Sequence, residues 1–141
     1  MADKYCYEVT FSLNDKEYVT IGFKNNEEGF ELRNEYFKGS SSPKSVTYLN
    51  NNSTEKLTVF EGFFDFLTYQ SIHQNQQQKL TNFLVLNSLS FFNKNLTLMD
   101  KHTRIHLYPD NDTAGKKCVE IGFKLSGNLL LKVNFIRAIK T

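Results

Sequence analysis

Three carboxylates in two short segments are the side chains best placed to do chemistry. They are Glu61, closing the run LTVFE, and Asp110 and Asp112, which follow IHLYP. Each segment sits just beyond a short apolar run, where a strand would end. Carboxylate oxygens are hard ligands, and Mg²⁺ is typically held by one or two of them, with waters and phosphate oxygens completing its shell. Asp110 and Asp112 are alternate residues, so extended backbone aims both the same way. Gly62 lets the chain turn sharply after Glu61, and Asp65 follows one helical turn later, within reach of the same rim. Ordinary readings stand beside these. Asp112 ahead of Thr113 also suits a helix N-cap, and Asp65 suits a first-turn acid favoured by the helix dipole. A calcium loop counted from Asp110 would need oxygen ligands where Ala114 and Ile121 stand, so that class is excluded.

The elements that must carry these residues are legible in the hydrophobic pattern. From residue 56 onward, apolar runs at 57–60, 83–86 and 105–108 alternate with helical stretches at 63–71, 89–98 and 113–125. Short apolar strands alternating with helices imply βαβ units and a mostly parallel sheet flanked by helices, and ligands bind such sheets at the strands' carboxyl ends. Right-handed crossovers would bring Glu61, Asn87, Ser88 and Asp110 to one rim. The preceding part reads differently. Tyr5, Tyr7, Val9, Phe11 and Leu13 alternate with mostly polar neighbours, 18–23 is β-branched and aromatic, and 29–32 follows an Asn-Asn-Glu-Glu turn, all of which predicts an antiparallel meander. Residues 46–49 add one more strand. The stretches KGSSSP at 38–43 and NNNST at 50–54 punctuate the chain. The expected organisation is a β-rich segment at 1–50, an α/β domain at 56–125, and a basic strand or tail at 126–141.

The chain has 141 residues, 40% of them hydrophobic and 14% aromatic, which suits a folded chain of ordinary domain size and argues against disorder. No apolar run approaches the ~20 residues of a membrane span, and the first fourteen residues have no signal-peptide core, so a cytoplasmic protein without a membrane partner is expected. Cys6 and Cys118 stand far apart, and His73, His102 and His106 share no ligand spacing, so neither a disulfide framework nor a zinc site is expected. The net charge of +2 is unevenly spread: residues 116–141 hold six cations against Glu120 alone, which leaves 1–115 at −3. Lys116 and Lys117, just past the aspartates, could meet phosphate or merely cover a helix turn. Arg33, Lys38 and Lys44 are interleaved with Tyr36 and Phe37, a composition suited to the phosphates and bases of single strands, although aromatic residues near strands are more often core.

In order and spacing, LTVFEGFFDFLTY, NFLVLNS and IHLYPDNDTAGKK resemble the motifs of the Toprim domain, the catalytic module of DnaG-type bacterial primases, type IA and II topoisomerases and some nucleases. The upstream GFELRNEYFKGSSSPKSVTYL is similar to the segment preceding Toprim in primase-like proteins of mobile elements. The resemblance implies a Rossmann-like Toprim domain after a small antiparallel β subdomain. It also implies Mg²⁺ as cofactor, with Mn²⁺ able to substitute, held by Glu61, Asp110, Asp112 and Asp65. Glu61 is implied as general acid or base in nucleotidyl transfer, Gly62 and Gly115 as turn and helix-packing glycines, and Asn87 and Ser88 as neighbours of the active site.

The expected function is RNA-primer synthesis, or a related nucleotidyl transfer, on single-stranded DNA with nucleoside triphosphates. The chain would then be one domain of a longer protein, with a zinc-binding domain or helicase as partner. Two alternatives stay open. One is a non-catalytic nucleic-acid-binding Toprim module, since no acid follows Glu120 where primases carry a further acidic motif. The other is a Toprim nuclease.

Overall fold

The computed structural model describes residues 2–77, 80–125 and 130–133, which form two compact units dividing between Ser45 and Val46. The first is a four-stranded antiparallel meander of β1 (Cys6–Leu13), β2 (Lys16–Lys24), β3 (Phe30–Arg33) and β4 (Lys38–Ser40), in that spatial order. The β1–β2 hairpin turns through Asn14 and Asp15, whose φ angles of 51° and 62° are those of a two-residue turn matched to strand twist. Pairing is continuous from Cys6 opposite Phe23 to Leu13 opposite Lys16. Asn25 is buried and organises the β2–β3 connection, its Oδ1 accepting from the Glu27 and Gly29 amides at 2.9 and 3.0 Å.

The second unit is built on a five-stranded sheet of β5 (Thr47–Leu49), β6 (Lys56–Phe60), β7 (Asn82–Val85), β8 (Arg104–Tyr108) and β9 (Leu130–Val133), in the order β5-β7-β6-β8-β9. All pairings are parallel except β5 with β7. The strand expected at 46–49 thus forms, but it joins this sheet rather than the meander. The reason is that Val46 and Thr47 are both buried, and the edge of β7 offers backbone partners from Val85 to Phe83. Within the expected C-terminal strand or tail, β9 accounts for 130–133; residues 126–129 and 134–141 lie outside those described.

Alternation along the central strands gives the sheet two different faces. Leu57, Val59, Leu84, Leu86, Ile105 and Leu107 make an aliphatic face, packed with Phe92, Met99 and Val119. The opposite face is aromatic. The Phe60 ring lies 5.1 to 6.4 Å from those of Phe66, Tyr69, Phe83 and Tyr108, contributed by the helix α1 (Phe63–His73) and by β7 and β8. Burying each such ring stabilises the fold by roughly 1.5–3 kcal/mol, which fixes the register at the strands' carboxyl ends. Thr58 is fully buried among these apolar side chains, and its hydroxyl is satisfied by that of Thr81 at 2.9 Å.

The helices at 63–73 and 113–125, the latter α3 (Thr113–Leu125), follow the predicted pattern. The predicted helix at 89–98 does not form as one piece. It is broken into 3-10 turns at Leu89–Phe91 and Asn93–Asn95 and a short α2 (Leu96–Met99). Asn95 explains the break, because its side chain bonds back to the Phe91 carbonyl at 2.8 Å and so competes with continued helix. No described helix is long and apolar enough to cross a membrane.

Candidate metal centre

Parallel pairing of β6 with β8 sets Phe60 opposite Tyr108, so Glu61 and Pro109-Asp110 emerge side by side at the same edge of the sheet. One carboxylate oxygen from each of Glu61, Asp110 and Asp112 lies within 4.8 Å of the others. Two of the three headgroups are anchored by backbone. Glu61 Oε2 accepts the Asp110 amide at 2.8 Å, and Asp112 Oδ1 accepts the Gly115 amide at 2.7 Å. Asp112 is therefore the N-cap of α3 and a member of the acidic cluster at once. Glu61 is half-buried, while both aspartates are exposed.

Asp65 stands beside this cluster, facing Asp110 from the first turn of α1. Burial pushes its carboxyl up to about 6, with the charges of Asp110 and Glu61 and a hydrogen bond with Asp110 adding to the effect. Cys118 of α3 lies on the other side. Burial, reinforced by the charge of Glu61, raises its thiol to about 11. Cys118 carried no signal in the sequence as a neighbour of the site, because only the docking of α3 on the aliphatic face brings it there.

The donor set fits a hard divalent cation. It is all oxygen and exposed on one side, and Mg²⁺ with ligands at ~2.1 Å spans about 4.2 Å between opposite oxygens, close to the spread seen here. Glu61, Asp110 and Asp112 are the residues that would hold it. When bound, such an ion neutralises charge on phosphate oxygens and on the attacking and leaving groups. Among the described residues no other group of three or more potential ligands converges in this way.

The two glycines behave differently. A Cβ on Gly115 would fall 2.2 Å from the Asp110 carbonyl oxygen, so α3 can start this close to the acid-bearing loop only without a side chain there. Gly62 has φ −128° and ψ 163°, ordinary extended backbone, and a Cβ would meet nothing within 4 Å. The sharp turn read from the sequence does not demand glycine at 62.

Asn87 and Ser88 follow β7, the neighbour of β6, and both have internal partners. Asn87 adopts φ 62° and donates to Thr47 Oγ1 at 3.2 Å, while the Ser88 hydroxyl accepts the Ser90 amide at 3.3 Å and meets its Oγ at 2.9 Å. Lys116 and Lys117 are exposed on the first turn of α3, directly after the cap. In the first unit, Arg33 and Lys38 are cross-strand partners. Glu31, two pairs further along, is pushed up by burial while Lys44, Arg33 and Lys38 pull it down, so the three cations lie within electrostatic reach of one half-buried acid. Phe37 is packed, and Tyr36 is exposed.

The sheet, parallel but for its edge strand β5, thus carries helices on both faces and an oxygen-only acidic cluster at its carboxyl edge, the place where open α/β sheets bind ligands. The Toprim-like family matches residues 58–134, more than half of the sequence, and the chain belongs to that family. Residues 1–42 match a domain of unknown function, DUF8464. Among solved structures, the primase fragment of the bacteriophage T7 primase-helicase is similar at TM-score 0.59 and 18% identity, over 88% of this chain and 55% of that one. A chain in the structure of the T7 lagging-strand DNA polymerase interacting with primase domains bound to an RNA/DNA hybrid and dTTP aligns at TM-score 0.59 and 20% identity, over 93% and 71%. A DNA primase domain from Pseudomonas aeruginosa aligns at TM-score 0.51 and 16% identity, over 94% and 49%. The chain thus spans about half the length of the first and third of these. At these identities the likeness is one of fold. No curated protein matches the chain in sequence.

Proposed function

We propose that this Toprim-like domain binds Mg²⁺ at Glu61, Asp110 and Asp112 and takes part in primase-like nucleotidyl transfer on single-stranded DNA, joining nucleoside triphosphates into a primer. The observation that carries the reading is the convergence of the three carboxylates at the carboxyl ends of adjacent parallel strands. In this reading the protein mainly positions: Glu61, held by the Asp110 amide, would accept or return the proton of the attacking hydroxyl, while Asp110 and Asp112 would hold the ion that neutralises charge on the substrate phosphates. Asp65 keeps Asp110 in place. Lys116 and Lys117 at the head of α3, and Arg33, Lys38 and Lys44 in the first unit, supply charge for the template and nucleotide phosphates.

The test combines metal binding with turnover. Titration with Mn²⁺ should broaden amide resonances around 61, 110 and 112, and Asp110→Asn or Asp112→Asn should remove the broadening without unfolding the chain. Primer synthesis from single-stranded templates with Mg²⁺ should be lost in Glu61→Gln. If the wild type binds DNA but makes no product, even with a zinc-binding partner domain added, and Glu61→Gln binds equally well, the chain is a binding module and the catalytic reading fails. Mg²⁺-dependent cleavage of DNA or RNA without nucleoside triphosphates would instead establish a nuclease.

A further inference from the structure

The sequence presents Tyr36 and Phe37 as a pair, and the structure separates them. Phe37 is part of a packed aromatic cluster, with ring centroids 5.1 Å from Phe11 and 5.4 Å from Tyr18, and its ring covers Gly39 so closely that a Cβ there would fall 2.8 Å from it. Tyr36 is 87% exposed, the most exposed large hydrophobic side chain among the described residues.

The turn that displays Tyr36 is tightly held. Asn34 Oδ1 accepts the amides of Tyr36 at 2.8 Å and Phe37 at 2.7 Å, its Nδ2 donates to the Val19 carbonyl at 3.0 Å, and its own amide donates to the Phe37 carbonyl at 2.9 Å. The backbone carrying the ring is thus fixed from within the turn and from β2 before any ligand arrives. Arg33 and Lys38 pair at the base of this turn, and Lys44 lies within electrostatic reach of the same Glu31. These three cations stand against Glu31 and Glu35.

We infer that Tyr36 is a stacking platform for an unpaired base of single-stranded DNA, with Arg33, Lys38 and Lys44 drawing the flanking phosphates. This rests on the single-strand reading above and adds to it a residue and a mode of contact. A flat ring with two rotatable bonds on a braced, convex turn loses little entropy when a base lies on it, and every base offers a π-face, so the contact is tolerant of sequence. The residues flanking Tyr36 in its own turn, Arg33, Glu35 and Lys38, are charged, which favours a phosphate-bearing strand over an apolar protein segment at the ring.

The chain contains no tryptophan, so Tyr36→Trp introduces a single fluorophore at the site in question. The full chain at low salt would be titrated with a fluorescein-labelled dT oligomer, binding being read by anisotropy and stacking by tryptophan emission. The control is an abasic oligomer of equal length and charge. The dT oligomer should quench the tryptophan and the abasic one should bind without quenching. Tyr36→Ala should weaken dT binding about tenfold, leave the abasic oligomer unaffected and keep the wild-type Tm, while Tyr36→Phe should bind as wild type. If dT binds with full anisotropy change but without quenching, and Tyr36→Ala binds it equally well, stacking is overturned while the single-strand reading stands. If the wild type gives no anisotropy change with dT, the single-strand reading fails and this inference fails with it.

Discussion

The amide of Asp110 donates to Glu61 Oε2 at 2.8 Å across 49 residues of sequence, tying the ends of β6 and β8 together at the point where both acids leave the sheet. The bond makes the position of Glu61 depend on the backbone of the Asp110 loop, and that backbone depends in turn on Gly115, which sits against the Asp110 carbonyl.

Gly115→Ala should therefore damage both stability and the metal centre. The added methyl would lie 2.2 Å from a backbone oxygen, and only movement of the loop or of α3 relieves that contact. A loss of about 1–3 kcal/mol in chemical denaturation is expected, with weaker Mn²⁺ binding in the same variant. Gly62→Ala, in open extended backbone, should be neutral or slightly stabilising. Equal losses at the two positions would contradict this account.

Asp65 sets a pH dependence for the metal-free protein. Its carboxyl is raised to about 6 from an ordinary 3.8, so between these values the folded state holds more protons than the unfolded chain, and stability falls as pH rises through that window. Asp65→Asn should be more stable than wild type at pH 7.5 in EDTA, by of the order of 1 kcal/mol once solvent screening of the half-buried group is allowed for. The advantage should vanish below pH 4 and shrink when Mg²⁺ neutralises the neighbouring acids.

Cys118 should report on the same centre. A thiol raised to about 11 has roughly a hundredfold smaller thiolate fraction at pH 8 than an ordinary one, so iodoacetamide should label it slowly in a Cys6→Ser background. Burial is the larger cause and Glu61 the lesser. Glu61→Gln, or Mg²⁺ added to wild type, should therefore accelerate labelling only in part. Mg²⁺ should have no such effect in Glu61→Gln.

Asn82, the first residue of β7, is a buried polar hub and should be costly to remove. It is 2% exposed; its Oδ1 accepts the amides of Asn51 and Ser53 at 2.8 and 3.1 Å, and its Nδ2 reaches the Ser53 carbonyl at 2.8 Å, Tyr48 Oη at 3.1 Å and His102 Nε2 at 2.9 Å. His102 Nδ1 faces the Leu98 carbonyl at 3.0 Å, which can only accept, so Nδ1 carries the proton and Nε2 is left to accept from Asn82. Asn82→Ala should cost about 3 kcal/mol and speed hydrogen exchange at the amides of Asn51 and Ser53. Asn82→Asp should not restore stability, because a carboxylate cannot donate to the Ser53 carbonyl.

The sequence by itself determined the change from alternating to continuous apolar strands near residue 56, and with it an antiparallel sheet followed by a mostly parallel one. It also determined that Glu61 and Asp110 follow the ends of strands, since strand period and length are local properties of the chain. Tertiary structure decided what depends on distant partners. Residues 47–49 pair with β7 because an open sheet edge is a long-range opportunity that no local pattern announces. Asn82 reads locally as a polar residue ahead of the strand at 83–86, and the NNNST run as a turn, yet contacts about 30 residues apart join them into one network. The raised carboxyl of Asp65, the thiol of Cys118 beside Glu61 and the separation of Tyr36 from Phe37 are likewise products of packing. Burial and mutual charge exist only once the elements have met, whereas the order of apolar and polar residues is present in the chain from the start.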